Sequence, residues 1–358
     1  MSALPRSSLW EPPPAKIAIF RALNLGDLLC IVPALRALRK AFPTARVTLI
    51  GLDSARPVVE RFGGYLDDLL LFPGDPAFPE QEPRLAELPA FYRCARERHF
   101  DVALQLHGSG GRANVIVEAL GARRWAGFVP DHARQEHGRL MAWPDAEPEI
   151  HRYLLLLNYL GLRVDGPGLE FPLTPRDMAD AGRLAREAGI DAGRTVVIHP
   201  GARMASRRWP VERYASVART LVDDGWQVAI TGSQDERDLV CRLLQASGRR
   251  LVDLCGRTTL GSLAALLQHV PLLVCNDTGV SHVAAAVGVS SIVIACGSDA
   301  NRWAPLDKTR HCVLHAPMAC RPCMYQECPI GHPCACAIGV DEVVAQARSR
   351  LGLYREAP

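Results

Sequence analysis

Short apolar runs alternate with longer segments of helical pattern along most of the chain. The runs are continuous rather than broken by polar residues at every second position, as expected for strands covered on both faces in a parallel sheet. In the first half the pattern predicts strands at Lys16–Arg21, Arg46–Gly51, Asp68–Phe72 and Asp101–Leu106, and helices at Gly26–Ala41, Leu88–His99 and Ala113–Leu120.

The alternation pauses at a helix predicted over Glu149–Leu162 and at residues 164–175, which are rich in Pro and Gly and are interpreted as an interdomain linker. It then restarts. The second half predicts strands at Arg194–His199 and Gln227–Thr231, helices at Val211–Asp224, Glu236–Ser247 and Leu260–His269, and buried runs at Leu272–Cys275 and Ser291–Cys296. This order predicts an α/β protein of two domains, each a doubly wound parallel sheet.

We predict a disordered leader over residues 1–15, domains over 16–170 and 171–339, and a terminal helix within 340–358. The leader carries three consecutive prolines and no continuous apolar segment, which is unlike a signal peptide or membrane anchor. No run approaches the roughly 20 apolar residues that span a bilayer. We therefore expect a cytoplasmic protein whose contact with a membrane, if any, is peripheral.

Composition excludes little beyond this. The 358 residues are 48% hydrophobic and 22% charged, with a net charge of +3. Such a small charge does not favour a nucleic-acid partner. Basic residues cluster locally instead, as at Arg203, Arg207 and Arg208, which suits a single anionic ligand.

Polar turns follow three of the buried runs in the second half. Asp277 and Thr278 could cap the following helix, Gly279 would let a ligand approach the backbone, and His282 falls in the first turn. Ligands of open parallel sheets bind at such strand ends, where helix N-termini present free N–H groups. A helix cap with a tight turn explains this stretch equally well.

The other two turns are HPGARMASRRWP, with Gly201, Arg203 and Arg207, and TGSQDE, with Gly232, Gln234 and Glu236. Arginines in a loop are often only solvated. Three turns of this kind in one α/β half nevertheless favour a nucleotide-diphosphate ligand. The chain has no G-x-x-x-x-G-K-[ST] motif and no G-x-G-x-x-G after a strand, so ATPase and Rossmann dehydrogenase functions lose support.

In the first half, Asp27 stands at a helix entrance directly after a predicted strand. An acid in the first turn is commonly a partner of the helix dipole, worth about 0.3–1 kcal/mol. It could equally be a general base that takes a proton from an acceptor hydroxyl. The residues alone leave both interpretations open.

Four segments together carry a family resemblance: LNLGDLLCIVPALRALRKAFPTARVTLIG, HPGARMASRRWPVERYASVARTL, TGSQDERDLV and NDTGVSHVAAAVGV. In this order they resemble glycosyltransferase family 9, the ADP-heptose:lipopolysaccharide heptosyltransferases and their relatives, from Lys16 to about Leu353. The resemblance implies a GT-B fold of two Rossmann-like domains facing across a cleft, with the last helix packing back on the first domain. It also implies inverting transfer of a heptose, or related sugar, from an ADP-sugar to a lipopolysaccharide-core or similar glycan, with no cofactor.

The same resemblance implies residue roles. Asp27 matches the catalytic base. The donor would be bound by Arg207, by the turn of Asp277, Thr278, Gly279 and His282, and by Gly201, Arg203, Gly232 and Glu236, with Gln234 or Asp235 as alternatives to Glu236. The acceptor, lipid-linked or glycan, would lie at Asn24, Gly26, His107 and Arg112 and near residues 131–139. The protein would work at the cytoplasmic face of the inner membrane.

The chain has twelve cysteines, five of them within CRPCMYQECPIGHPCAC, residues 320–336. Four of these, Cys320, Cys323, Cys328 and Cys334, have spacing that suits a structural zinc or iron site. The closing C-x-C departs from the spacing of a zinc ribbon. Reduced thiols or a disulfide in a packed loop remain the alternative.

Two further functions are compatible with this two-domain plan. A sugar-nucleotide epimerase would need additional acid and base groups, and its motifs match less well. A non-catalytic nucleotide-sugar-binding protein would have no use for a base at Asp27.

Overall fold

A computed structural model of the chain describes residues 8–130 and 139–352. The acceptor expectation at residues 131–138, the first seven residues and the last six lie outside the described residues. The chain divides into two compact units, one ending at Leu169 and the other beginning at Glu170. Each unit contains one six-stranded sheet, and every strand pair is parallel.

The first unit has the sheet order β3-β2-β1-β4-β5-β6. Its strands are β1 (Lys16–Phe20), β2 (Arg46–Gly51), β3 (Asp68–Leu71), β4 (Val102–Gln105), β5 (Arg124–Val129) and β6 (Leu140–Ala142). Its helices are α1 (Leu25–Cys30), α2 (Val32–Ala41), α3 (Arg56–Arg61), α4 (Leu88–Glu97), α5 (Arg112–Ala119) and α6 (Glu149–Tyr159).

The second unit has the order β12-β11-β10-β7-β8-β9. Its strands are β7 (Thr195–His199), β8 (Gln227–Ile230), β9 (Val252–Asp253), β10 (Leu272–Asn276), β11 (Ser290–Ile294) and β12 (His311–Leu314). Its helices are α7 (Pro175–Ala188), α8 (Val211–Asp223), α9 (Arg237–Ser247), α10 (Leu260–Leu267), α11 (Gly279–Val287), α12 (Ala300–Trp303), α13 (Pro333–Cys336) and α14 (Val340–Arg350).

Both sheets reverse their strand order at one place. The first strand of each sheet, β1 or β7, lies between the second strand and the fourth, so consecutive strands build outward in opposite directions from β1/β4 and from β7/β10. The connections after these neighbouring strands leave on opposite faces, which opens a crevice at the carboxyl edge where ligands of such sheets bind. We call these two places the first and the second switch point. The predicted doubly wound α/β fold class is confirmed.

The helix predicted as one piece over Gly26–Ala41 is two helices, α1 and α2, which meet at Ile31. Pro33 stands at the start of α2. Proline lacks the backbone N–H that would continue the hydrogen-bond ladder, so a helix usually begins at such a residue rather than running through it.

Ordered structure begins earlier than predicted. Ser8–Trp10 form one turn of 3-10 helix, and Leu9 and Trp10 are buried. The indole Nε1 of Trp10 donates to the carbonyl of Leu160 over 2.7 Å. The expectation of a disordered leader is therefore wrong for Ser8–Trp10, because the sequence cannot show that this indole has a partner at the end of α6.

The last helix, α14, belongs to the core of the second unit. Its buried residues Val343, Val344 and Ala347 pack in the same cluster as residues of α8 and β11. Arg348 adds a two-pronged ion pair with Asp224, at 2.8 Å for both bonds. Packing of this helix on the first unit stays a prediction.

Candidate functional site

The first switch point carries the turn that contains Asp27. α1 begins at Leu25, after Asn24, whose side chain makes no capping bond, and Gly26 and Asp27 occupy its first turn. The Asp27 side chain is 22% exposed, and its Oδ1 lies 3.6 Å from Nη2 of Arg21. Three of the residues expected at the acceptor side are thus neighbours along this one turn.

Arg21, which follows β1, is fully buried beneath this turn. Its Nε donates to the backbone carbonyl of Asp27 over 2.7 Å. Its Nη1 donates to the carbonyl of Leu106 and to the Tyr153 hydroxyl, and its Nη2 lies 3.2 Å from Oε1 of Glu149. Burial works against the charge, but Tyr153, Glu149 and Asp27 together raise the pKa of Arg21 above its ordinary value.

His107 closes the other side of the first switch point, two residues beyond β4. Its Nδ1 accepts the backbone N–H of Ala22 over 3.2 Å, and its ring packs against Phe20 and Phe78. Burial, and secondly the charge of Arg21, lower the pKa of His107 to about 3. The imidazole is therefore neutral near pH 7.

Arg112 is placed differently from the other acceptor candidates. It begins α5, and its Nε donates to Oδ2 of Asp75 over 2.8 Å. Burial alone would raise the pKa of Asp75, but hydrogen bonds from Arg112 and from the Ala77 backbone hold it below its usual range. Arg112 is thus paired with a buried carboxylate in the structure.

The second switch point begins at the turn between β10 and α11. Thr278 is the N-cap of α11, yet its side chain makes no capping bond. Thr278 Oγ1 and Asp277 Oδ2 are both buried and have no hydrogen-bond partner among the described residues. The first N–H groups of a helix have no carbonyl one turn earlier to bond, although here the Ser281 N–H donates to the Thr278 carbonyl over 3.0 Å. His282 is buried, and its ring makes a T-shaped contact with Trp303.

Asn276, the last residue of β10, joins this turn to the loop after β7. Its amide nitrogen donates to the carbonyls of Pro200, over 2.7 Å, and Gly201, over 3.2 Å. Its carbonyl oxygen accepts from the Trp209 backbone N–H and from the Tyr214 hydroxyl, both at 2.9 Å. Sequence reasoning did not assign Asn276 a role; the polar residue that ends the apolar run LLVC was the available signal.

The arginine-rich loop, residues 203–208, is anchored on both sides of Arg207. On one side, the Trp209 N–H donates to the side chain of Asn276. On the other, the Ser206 N–H donates to the carbonyl of Gln326 over 3.0 Å, and the Ser206 hydroxyl donates to the carbonyl of Tyr325 over 2.6 Å. The carbonyl of Ser206 lies 2.8 Å from Nε2 of His332. Between these anchors, the Nε of Arg207 is buried without a partner among the described residues, whereas Arg203 is exposed.

The third turn lies against the first residues of this loop. A Cβ built on Gly201 would lie 1.8 Å from Oε1 of Glu236, so only glycine leaves room for that carboxylate. The other oxygen of Glu236 accepts the Ser233 N–H over 2.8 Å in a capping box after Gly232. Gln234 instead packs against Gly256. Of the alternatives left open by the sequence, Glu236 is the one that reaches Gly201.

The cysteine-rich segment has the free thiols that were one alternative to a metal site. All twelve cysteines are free thiols, and among residues 8–130 and 139–352 no three His, Cys, Asp or Glu side chains are placed to hold a metal ion. Cys320 is exposed while Cys323 and Cys334 are buried, and the Sγ of Cys328 accepts the His332 N–H over 3.2 Å. The segment instead supports the arginine-rich loop, since Tyr325, Gln326 and His332 hold Ser206.

Comparison with known protein families identifies the chain. The model of glycosyltransferase family 9 (heptosyltransferase) matches residues 90–333. The chain belongs to this family. The resemblance noted from the sequence motifs is confirmed, and the protein is a glycosyltransferase.

Characterised relatives cover most of the chain. It is 26% identical over 347 residues to lipooligosaccharide heptosyltransferase 2 of Campylobacter jejuni subsp. jejuni, a match spanning 94% of this chain and 98% of the relative. Among solved structures, a family 9 glycosyltransferase from Veillonella parvula superposes with a TM-score of 0.75 at 20% identity, covering 95% of this chain and 98% of that one.

Escherichia coli heptosyltransferase WaaC has been solved with ADP and with ADP-2-deoxy-2-fluoro heptose. The TM-scores are 0.67 and 0.64, at 18% and 19% identity, covering 94% and 93% of this chain and 99% of each neighbour. These likenesses confirm the predicted GT-B fold class of two Rossmann-like domains.

The helices of the structure were compared with the length and apolarity of a membrane span. Within the described part of the chain, no helix combines the length and apolarity needed to span a bilayer.

Proposed function

We propose that this glycosyltransferase is a heptosyltransferase that moves a heptose, or a related sugar, from an ADP-sugar to a hydroxyl of a lipopolysaccharide-core glycan. The support is the family match, the heptosyltransferase names of its relatives and the ADP and ADP-sugar complexes of its structural neighbour. The observation that carries the proposal is a pair of buried polar atoms at the entrance to α11, Asp277 Oδ2 and Thr278 Oγ1, which have no hydrogen-bond partner within the described part of the chain.

The second switch point binds the donor in this proposal. Thr278 Oγ1 and Arg207 Nε are buried donors without partners among the described residues. The N-terminus of α11 adds backbone N–H groups to this place. A diphosphate supplies the acceptors that such donors need, and the helix N-terminus favours its negative charge. Asp277 Oδ2 and Glu236 are acceptors, suited to hydroxyls of the ribose or of the transferred sugar.

Asp27 acts on the acceptor. It removes the proton of the acceptor hydroxyl as that oxygen attacks the anomeric carbon of the donor sugar. The bond between the anomeric carbon and the β-phosphate oxygen breaks, its electron pair leaves with ADP, and the configuration inverts. Arg207 and the α11 N-terminus stabilise the charge that develops on ADP, so no catalytic cofactor enters the proposal.

In this proposal the acceptor lies at the first switch point. Asn24, Gly26 and His107 surround the first switch point, and Asp27 shares it. Arg112 is the least favoured of the expected contacts, because Asp75 already neutralises it. Action at the cytoplasmic face of the inner membrane, by peripheral contact, remains part of the proposal because the acceptor is lipid-linked.

Donor binding is tested by titrating the protein calorimetrically with ADP, UDP and GDP. We expect ADP to bind most tightly, and Arg207→Ala to weaken ADP by about 10- to 100-fold, since a hydrogen bond to a charged group contributes about 1.5–3 kcal/mol. Arg242→Ala is the matched control, because Arg242 pairs with Glu212 on the surface of the same unit. Equal, unchanged binding in both variants would remove Arg207 from the site.

The base is tested with Asp27→Asn in a transfer assay with ADP-heptose and a lipopolysaccharide-core acceptor. Turnover should fall by about 100- to 10,000-fold, with ADP affinity unchanged because the donor site lies in the other unit. Asp53→Asn is the control, an exposed acid of another helical first turn in the first unit. Turnover that survives Asp27→Asn would contradict the proposed base.

A further inference from the structure

We infer that Arg21 is a positioning residue of the transfer reaction: locked by α6, it fixes the orientation of the Asp27 carboxylate. The inference rests on the proposed role of Asp27 as the base. It concerns a residue that neither the sequence motifs nor the family match singles out, and its basis is the set of contacts that Arg21 makes inside the first unit.

The guanidinium of Arg21 makes four hydrogen bonds, and its Nη2 also lies 3.6 Å from the Asp27 carboxylate. An arginine carries five N–H groups in one rigid plane. The Nε group binds the Asp27 carbonyl, Nη1 binds Leu106 and Tyr153, and Nη2 faces Glu149. These partners come from the α1 turn, from the residue after β4 and from α6. Because the partners lie in different directions, the plane cannot rotate without breaking several bonds.

Asp27 is held by this plane at two points. Its backbone carbonyl accepts a 2.7 Å hydrogen bond, and its carboxylate lies 3.6 Å from Nη2. The first contact fixes the turn, and the second, too long for a hydrogen bond, orients the carboxylate by charge. Moving the guanidinium therefore displaces the turn and the carboxylate together.

α6 keeps Arg21 in place through a balanced set of buried charges. Glu149 is 1% exposed and receives Arg21 on Oε1 and Arg152 on Oε2, the latter over 2.9 Å. Tyr153 accepts from Arg21 and donates to Glu149. Two arginines thus balance Glu149 and Asp27. Buried charges persist where each has an opposite partner and hydrogen bonds, since an unpaired one is strongly destabilising.

Arg152 provides a matched control because it shares this environment without reaching Asp27. It is 2% exposed and binds the same Glu149. Its remaining bonds go to the carbonyls of Pro144, over 3.1 Å, and Asp145, over 2.8 Å. Shortening Arg152 therefore disturbs the same buried network and leaves the contacts to Asp27 in place.

The experiment compares Arg21→Lys, Arg152→Lys and Asp27→Asn in the full-length protein, measuring kcat, KM for ADP-heptose, ADP affinity and thermal stability. A lysine cannot bridge the Asp27 turn and α6 at once. We expect Arg21→Lys to lower kcat by about 100-fold, the size of effect that a misplaced catalytic group produces. KM for the donor and ADP affinity should not change, and Arg152→Lys should keep kcat close to wild type.

The double variant Arg21→Lys/Asp27→Asn gives a second, independent readout. If Arg21 acts only through Asp27, the double variant should turn over no more slowly than Asp27→Asn alone. A purely structural role predicts a further loss instead. Wild-type kcat in Arg21→Lys, or an equal loss in Arg152→Lys, overturns the inference.

Tyr153→Phe serves as a second variant if Arg21→Lys does not fold, because it removes one anchor of Arg21 and conserves the ring. A lower kcat with unchanged donor KM in Tyr153→Phe supports the inference, and wild-type kcat overturns it. If Asp27→Asn itself keeps full turnover, the proposed base fails and this inference falls with it. Loss in Asp27→Asn with none in Arg21→Lys defeats the inference alone.

Discussion

The two switch points share one strand topology but satisfy their polar groups in opposite ways. At the first, the guanidinium of Arg21 and the carboxylate of Glu149 are buried against each other and against neighbouring partners. At the second, the neutral amide of Asn276 makes four hydrogen bonds, while polar atoms of Thr278 and Arg207 next to it are buried without partners among the described residues.

The difference separates two kinds of preorganisation. A buried polar group without a hydrogen bond costs about 1–3 kcal/mol, so a protein keeps several together mainly where a ligand will pair with them. A network whose buried charges are already paired with one another instead fixes the group beside it. This contrast supports the proposed division of roles, in which the first switch point fixes Asp27 and the second binds the donor.

The largest of these changes in the free energy of unfolding should come from removing the Asn276 amide at the second switch point. Asn276→Ala leaves the Pro200 carbonyl and the Trp209 N–H buried without a partner. We expect a loss of about 3 kcal/mol in the free energy of unfolding, measured in urea, together with weaker ADP binding. Asn158→Ala, at an exposed position of α6, is the control. Wild-type stability and ADP affinity in Asn276→Ala would show that the amide does not organise the loop.

A smaller loss of folding stability should arise from His107, at the first switch point, as pH falls. The pKa of His107 is about 3 in the folded protein, against about 6.5 in an unfolded chain. Below pH 6.5 His107 is therefore protonated in the unfolded state but stays neutral in the folded state. The free energy of unfolding falls as pH drops toward 3. Between pH 7.5 and 5, wild type should lose about 2 kcal/mol more than His107→Gln. Parallel urea-unfolding curves at both pH values would contradict this.

The smallest effect tests whether the unpaired atoms exist to meet a ligand. Thr278→Val removes a hydroxyl that has no partner in the residues the structure describes. The free energy of unfolding should therefore stay level or rise, while ADP affinity falls by about tenfold. Thr220→Val is the control, because the Thr220 hydroxyl bonds to Ser216 within α8. Calorimetry with ADP and urea unfolding measure both quantities. A destabilised Thr278→Val with normal ADP binding would mean that the hydroxyl serves the fold.

The sequence by itself determined the parts of this protein that depend on local pattern. Continuous apolar runs predicted β1, β2, β4, β7, β8 and β10 close to their observed bounds, because a buried parallel strand needs apolar residues on both faces. The strands β5, β6, β9 and β12 were not predicted. At the edges of the sheets β6 and β9 are only partly buried, so their patterns are weak.

Contacts between distant residues were decided only by the tertiary structure. Arg21, after β1, meets Glu149, at the start of α6, across 128 positions, and Asn276 meets Gly201 across 75. The second contact forms because β7 and β10 are neighbours, which brings their carboxyl ends to one edge of the sheet. Among the described residues, the cysteines whose spacing suggested a metal site are not placed to hold a metal ion. Their segment instead brings Tyr325 and His332 against Ser206. Motif spacing records which side chains are close along the chain, whereas pairing of buried charges and amides depends on which strands become neighbours.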